Sequence, residues 1–162
     1  MLITPHVLLG AAISRGIGSL LCGLPLAFAS HFALDAIPNW DVGLTSIKNI
    51  GIIITDGIIA LLLIRFLSIT TSGRPLNKIL LWTGGLFGIL PDILSQSGMI
   101  LAIRRIPFEN FHQSIQKSAL ISWSLPVQIF LSFTLFRWIY SMQRYAVSSR
   151  KIINYQNTEN YF

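Results

Sequence analysis

Three apolar segments constrain this chain more than any other feature. Residues 49–64 carry one charged side chain, Asp56; residues 79–103 carry one, Asp92; residues 118–136 carry none. Each is close to the roughly 20 residues that a helix needs to cross a hydrocarbon layer. Polar breaks at 70–78 (TTSGRPLNK) and 104–117 (RRIPFENFHQSIQK) separate them and read as loops. Charged residues make up only 11% of the chain, against about 25% in ordinary soluble proteins. So few charges cannot cover the surface of a soluble domain, whereas a lipid-facing surface does not require them. The expectation is an all-α membrane bundle over residues 1–150 and a polar, disordered tail over 151–162.

The first 38 residues predict a helical hairpin followed by three further long helices. PHVLLGAAIS forms a short helix with Pro5 in its first turn, where the missing N–H costs nothing. RGIGS interrupts it. A second helix runs from about Leu20 to Ile37 and stops at Pro38. The distinction matters for His6 and His31. A continuous helix would hold them about 37 Å apart, whereas a hairpin folds one back beside the other.

The net charge of +6 does not indicate nucleic acid, because the basic residues stand singly or in pairs at the ends of apolar runs. Lys48, Arg104, Arg105 and Lys117 fall on one side of the expected topology. Arg15, Arg65, Arg74, Lys78, Arg137, Arg144, Arg150 and Lys151 fall on the other, which the positive-inside tendency assigns to the cytoplasm. A multi-pass protein of a bacterial cytoplasmic membrane is expected, with the lipid bilayer as its partner and no secretory signal peptide. Cys22, the single cysteine, can form neither an internal disulfide nor a thiolate cluster and reads as a packed thiol.

Against this background the stretch HFALDAIPNWD, residues 31–41, is conspicuous. It holds one of the three histidines and two of the six acidic residues in the chain. His31 and Asp35, four apart, share a helix face and can either ligate one ion or hydrogen-bond to each other. Asp41 suits a turn or a helix N-cap. Asp56, mid-segment and about 10 Å from either surface, is costly unless it is hydrogen-bonded, paired or bound to a cation. Asp92 follows Pro91, which can start a half-helix whose positive end the carboxylate would favour. Gly84, Gly85 and Gly88 allow another helix to approach closely. His112 lies in a loop or at a helix start. Singly, each has an unremarkable structural reading. Together, several carboxylates and imidazoles in apolar surroundings suggest a shared divalent cation, and a His/Asp set without Cys suits zinc or a similar ion.

TPHVLLGAA near the start, HFALDAIPNWD, an intramembrane Asp and GILPD resemble small bacterial membrane proteins described as membrane-bound metal-dependent hydrolases. That group is thought to be distantly similar to zinc-dependent phospholipase C. The likeness covers residues 4–41 and 84–92, with a weaker match at FHQSIQ. It implies metal-ligand roles for His6, His31, Asp35, Asp56 and Asp92, and a general-base or supporting role for Asp41 or His112. It also implies hydrolysis of a phosphodiester, such as that of a lipid headgroup. The chain departs from the pattern at Asn39, where a histidine is expected, and in FHQSIQ, which has one histidine rather than two. A non-catalytic membrane protein, using the same residues as a structural polar network or a partner-binding groove, is the alternative reading.

Overall fold

The computed structural model describes residues 2–38, 47–71, 75–100, 111, 114–115 and 120–159. They form five helices: α1 (Ile3–Ile17), α2 (Leu20–Asp35), α3 (Ile47–Thr70), α4 (Pro75–Ile100) and α5 (Ile121–Glu159). Among the described residues the secondary structure is all helix, with the expected N-terminal hairpin and three longer helices after it. Gly18 makes the hairpin turn. It closes α1 in the left-handed conformation at φ 71°, and its N–H donates to Ser14 O at 3.1 Å. Only glycine adopts this conformation without a Cβ penalty.

Helix α1 is the centre of the bundle and packs on all four others. Its small residues explain how. A Cβ built on Gly10 would stand 2.3 Å from Gly84 O, and one built on Gly88 would stand 2.3 Å from His6 O. Backbone therefore meets backbone where α1 crosses α4, as small-residue interfaces allow. Gly23 of α2 lies close to Ser14, where a built Cβ would stand 3.0 Å from the Ser14 Cα. Around this crossing Val7, Leu8, Ala11, Ala60, Ile64, Leu67, Leu81 and Ile139 form the apolar core. A second tie joins α3 to α5. Gln143 Nε2 donates to Leu67 O and to Thr71 Oγ1, while Thr70 Oγ1 donates to Gln143 Oε1.

Two stretches, Lys48–Thr70 and Pro75–Ser95, are long and apolar enough to cross a membrane, with mean hydropathies of 2.3 and 1.3. At 1.5 Å per residue, 23 residues reach about 34 Å, beyond the roughly 30 Å of a hydrocarbon core. Only 22% of the α3 window is covered by the rest of the protein, which is unlike the core helix of a soluble domain. Ile54, Leu61, Leu62 and Ile69 on α3, and Phe130 and Phe133 on α5, point outward.

Three expectations need correction. Helix α4 passes through Pro91 without a break, so Asp92 stands inside a helix and not at the start of one. The polar tail is helical as far as Glu159, because no Gly or Pro follows Pro126 to stop α5. Cys22 is exposed on α2, not packed.

Candidate metal centre

The hairpin and the α1–α4 crossing bring together residues that are far apart in sequence. His6, in the first turns of α1, meets His31 near the end of α2, with ring centroids 4.1 Å apart and planes inclined by 31°. Both rings are buried, and so is Asp35. Asp35 stands between them. Its Oδ2 lies 2.9 Å from His31 Nε2 and its Oδ1 lies 3.4 Å from His6 Nε2. Asp92 approaches from α4, with Oδ1 3.4 Å from His31 Nε2. The Asp92 side chain is 30% exposed, so it forms the accessible edge of an otherwise buried group.

His31 has a defined orientation. Its Nδ1 lies 2.8 Å from Gly88 O, and a neutral ring that donates there carries its lone pair on Nε2. That lone pair points toward carboxylates of Asp35 and Asp92. Lone pair against carboxylate is repulsive, so a proton or a cation is needed between them. His6 adds a second demand. Neither of its ring nitrogens makes a hydrogen bond among the described residues, although the side chain is fully buried. An orphaned buried imidazole is expensive unless something fills its coordination sphere.

The donor chemistry fits a metal ion. One nitrogen from His6, one from His31 and one oxygen from Asp35 all lie within 4.8 Å of one another. Ligands bonded at about 2.1 Å to a tetrahedral ion are separated by about 3.4 Å. The His6–Asp35 separation of 3.4 Å matches that geometry, and the His31–Asp35 separation of 2.9 Å is shorter by about 0.5 Å. A carbonyl on the far nitrogen of a ligating histidine, as Gly88 O is to His31, is the usual outer partner that fixes ring and tautomer. His6, His31 and Asp35 could therefore hold a metal ion.

The remaining predicted site residues divide into two groups. Asp92 joins the cluster through His31. Asp56 does not. Its Oδ2 accepts the backbone N–H groups of Ile3 and Thr4, the latter at 3.0 Å, and its Oδ1 accepts Thr4 Oγ1 at 2.7 Å. Those bonds meet the need for a partner that suggested a ligand role from sequence, and the structure uses Asp56 to cap α1. Asp41 and His112 lie outside the described residues, as does Asn39. Arg15, a basic residue that the sequence offers to the buried acids, is about 13 Å farther along α1 from His6. Its Nη1 makes no hydrogen bond among the described residues.

Two contributors were not anticipated. The Gly88 carbonyl has no sequence signature; only the packing role of the glycine was legible. Gln128 Oε1 accepts the Leu2 N–H at 2.7 Å, and Gln128 is buried. Its signal was available, since it is the one amide side chain in the apolar run 118–136. Comparison with protein-family models, with curated proteins and with solved structures finds no match for the chain.

Proposed function

We propose that this chain is a multi-pass membrane protein in which His6, His31 and Asp35, with Asp92 at the edge, bind a divalent cation, and that the site hydrolyses phosphodiesters at the level of the lipid headgroups. The observation that carries the reading is the convergence of two buried imidazole Nε2 atoms on one buried carboxylate, with one ring oriented by Gly88 O and the other without a hydrogen bond among the described residues. Zinc is the ion that two nitrogens and an oxygen ligand suit well. When bound, it supplies Lewis acidity toward a phosphoryl oxygen.

The residues of the chain supply the rest. Gly88 orients His31, Asp35 sets the spacing of the two rings, and Asp92 offers a partly exposed carboxylate where a substrate can arrive. Asp92 lies within the apolar segment 79–103, and α4 continues past it to Ile100. Lys48, in the first turn of α3, lies on the side that the positive-inside count places away from the cytoplasm.

A second reading rests on the 2.9 Å contact between His31 Nε2 and Asp35 Oδ2, a distance suited to a direct charge-assisted hydrogen bond. On that reading a proton takes the place of the ion, and the cluster is a structural polar network in a non-catalytic protein. A hydrolysis assay on the detergent-purified chain separates the two. With bis(p-nitrophenyl) phosphate and a fluorescent phospholipid as probes, turnover should require added zinc or manganese and cease with a chelator. His31→Ala should lower it by about a hundredfold or more. Wild-type turnover that matches His31→Ala, or that is indifferent to chelation, would overturn the hydrolase.

A further inference from the structure

The start of α1 has no local cap. Leu2 occupies the N-cap position and its side chain cannot accept a hydrogen bond. The first N–H groups of any helix lack partners within it, and in an apolar setting water does not supply them. Here other helices do. Asp56 of α3 accepts the Ile3 and Thr4 N–H groups and the Thr4 hydroxyl, and Gln128 of α5 accepts the Leu2 N–H. Thr4 Oγ1 is also 3.2 Å from Asp56 O. The first turn of α1 is thus clamped from α3 and α5, while α4 closes on its other side with Gly88 against His6 O.

His6 lies two residues beyond Thr4. Its ring makes no hydrogen bond of its own among the described residues, unlike that of His31. What places the His6 ring is therefore the position of its backbone, the packing around it and the Asp35 carboxylate at 3.4 Å from its Nε2. We propose that Asp56 is a positioning residue for the metal centre: by clamping the first turn of α1 it sets His6 Nε2 at ligand distance, without touching the ion itself. This rests on the metal-binding reading above. It assigns to Asp56 a role opposite to the ligand role that its place in an apolar segment suggested.

The chemistry of the clamp makes the two roles separable. Asparagine has nearly the shape of aspartate. Its oxygen can accept the two N–H groups, and its amide can donate to the Thr4 hydroxyl, which in turn can donate to the carbonyl of residue 56. A clamp therefore tolerates Asp56→Asn, whereas a ligand that must be charged does not. Asp56→Ala removes the clamp altogether.

Cobalt(II) titration of the full-length, detergent-purified chain provides the readout, through binding affinity and the visible absorption band that reports the donor set. Wild type should bind one ion. Asp56→Asn should bind one ion with the same band and an affinity within about threefold of wild type. Asp56→Ala should keep the band but bind about tenfold to a hundredfold more weakly, as loss of a supporting residue does. If Asp56→Ala does not fold, Thr4→Val takes its place, since it removes one hydroxyl and leaves the carboxylate; it should weaken binding in the same direction. A shifted band or lost binding in Asp56→Asn would make Asp56 a ligand and overturn the proposal. Wild-type affinity in Asp56→Ala or Thr4→Val would reduce Asp56 to an ordinary cap and overturn it too. Absence of cobalt binding by wild type would instead remove the metal centre, a failure distinct from these and one the proposal does not survive.

Discussion

At His31 the two ring nitrogens have different partners, and the difference explains why the cluster is more than an i,i+4 pair. Nδ1 is taken by a backbone carbonyl, and Nε2 faces two carboxylates. The His31–Asp35 spacing was legible, because it depends only on helical periodicity. The nearness of His6 followed once the hairpin was read from RGIGS. Asp92 beside His31 and Asp56 beside Thr4 were not legible as such, since both depend on which helix crosses α1 and in which register. Asp56 illustrates the limit. Sequence shows that a buried carboxylate needs a partner, but the partner is a set of backbone N–H groups more than 50 residues away. The thermal stability of wild type and of Asp35→Asn, each with and without a chelator, tests the residue that stands between the two rings. An ion at about a hundred times its dissociation constant stabilises the folded state by about 2.7 kcal/mol. For a chain of this size, chelation should then lower the wild-type midpoint by roughly 5–10 °C. Asp35→Asn should unfold at the same temperature with and without chelator. An equal chelator shift in both proteins would remove Asp35 from the ion.

At the scale of elements, the α1–α4 crossing couples packing to the site. Gly88 serves twice, as the surface that His6 O rests on and as the carbonyl that orients His31. Sequence showed the glycines and their packing role; it did not show that one of them lies against His6 and His31. Gly88→Ala should force α1 and α4 apart, because the added Cβ meets backbone and no rotamer change can relieve it. Overpacking of this kind costs about 1–3 kcal/mol. The same substitution at Gly51, where no atom of the described residues lies within 4 Å, should stabilise α3 by up to about 1 kcal/mol through helix propensity. Denaturation midpoints of the two variants check the contrast, and cobalt affinity should fall in the first and stay unchanged in the second. A neutral Gly88→Ala would show that the crossing is not tight. The length of α5 was missed for the opposite reason. Its polar composition suggested disorder, but a chain without Gly or Pro over residues 127–159 has nothing to end a helix already begun at Ile121.

At the scale of the whole molecule, two stretches, Lys48–Thr70 and Pro75–Ser95, are long and apolar enough to cross a membrane, and both fall on apolar segments that the sequence shows. The topology can be checked by labelling in a Cys22→Ser background. Lys48→Cys should react with a membrane-impermeant thiol reagent in intact cells, and Ser72→Cys only after lysis, because the apolar window of α3 separates them. Labelling of both from one side would mean that α3 does not span. The bundle that results brings a His/Asp cluster together from α1, α2 and α4, where the sequence could nominate the residues but not their convergence. Whether that cluster holds an ion is most directly tested by elemental analysis of the full-length chain, purified in detergent without added metal, beside His31→Ala prepared in the same way. About one equivalent of a divalent transition metal per wild-type chain is expected, with less than roughly a tenth of that in His31→Ala. A wild-type chain that folds normally, carries no more metal than His31→Ala and gains none on dialysis against zinc would contradict the metal centre and leave the cluster as a proton-sharing structural network.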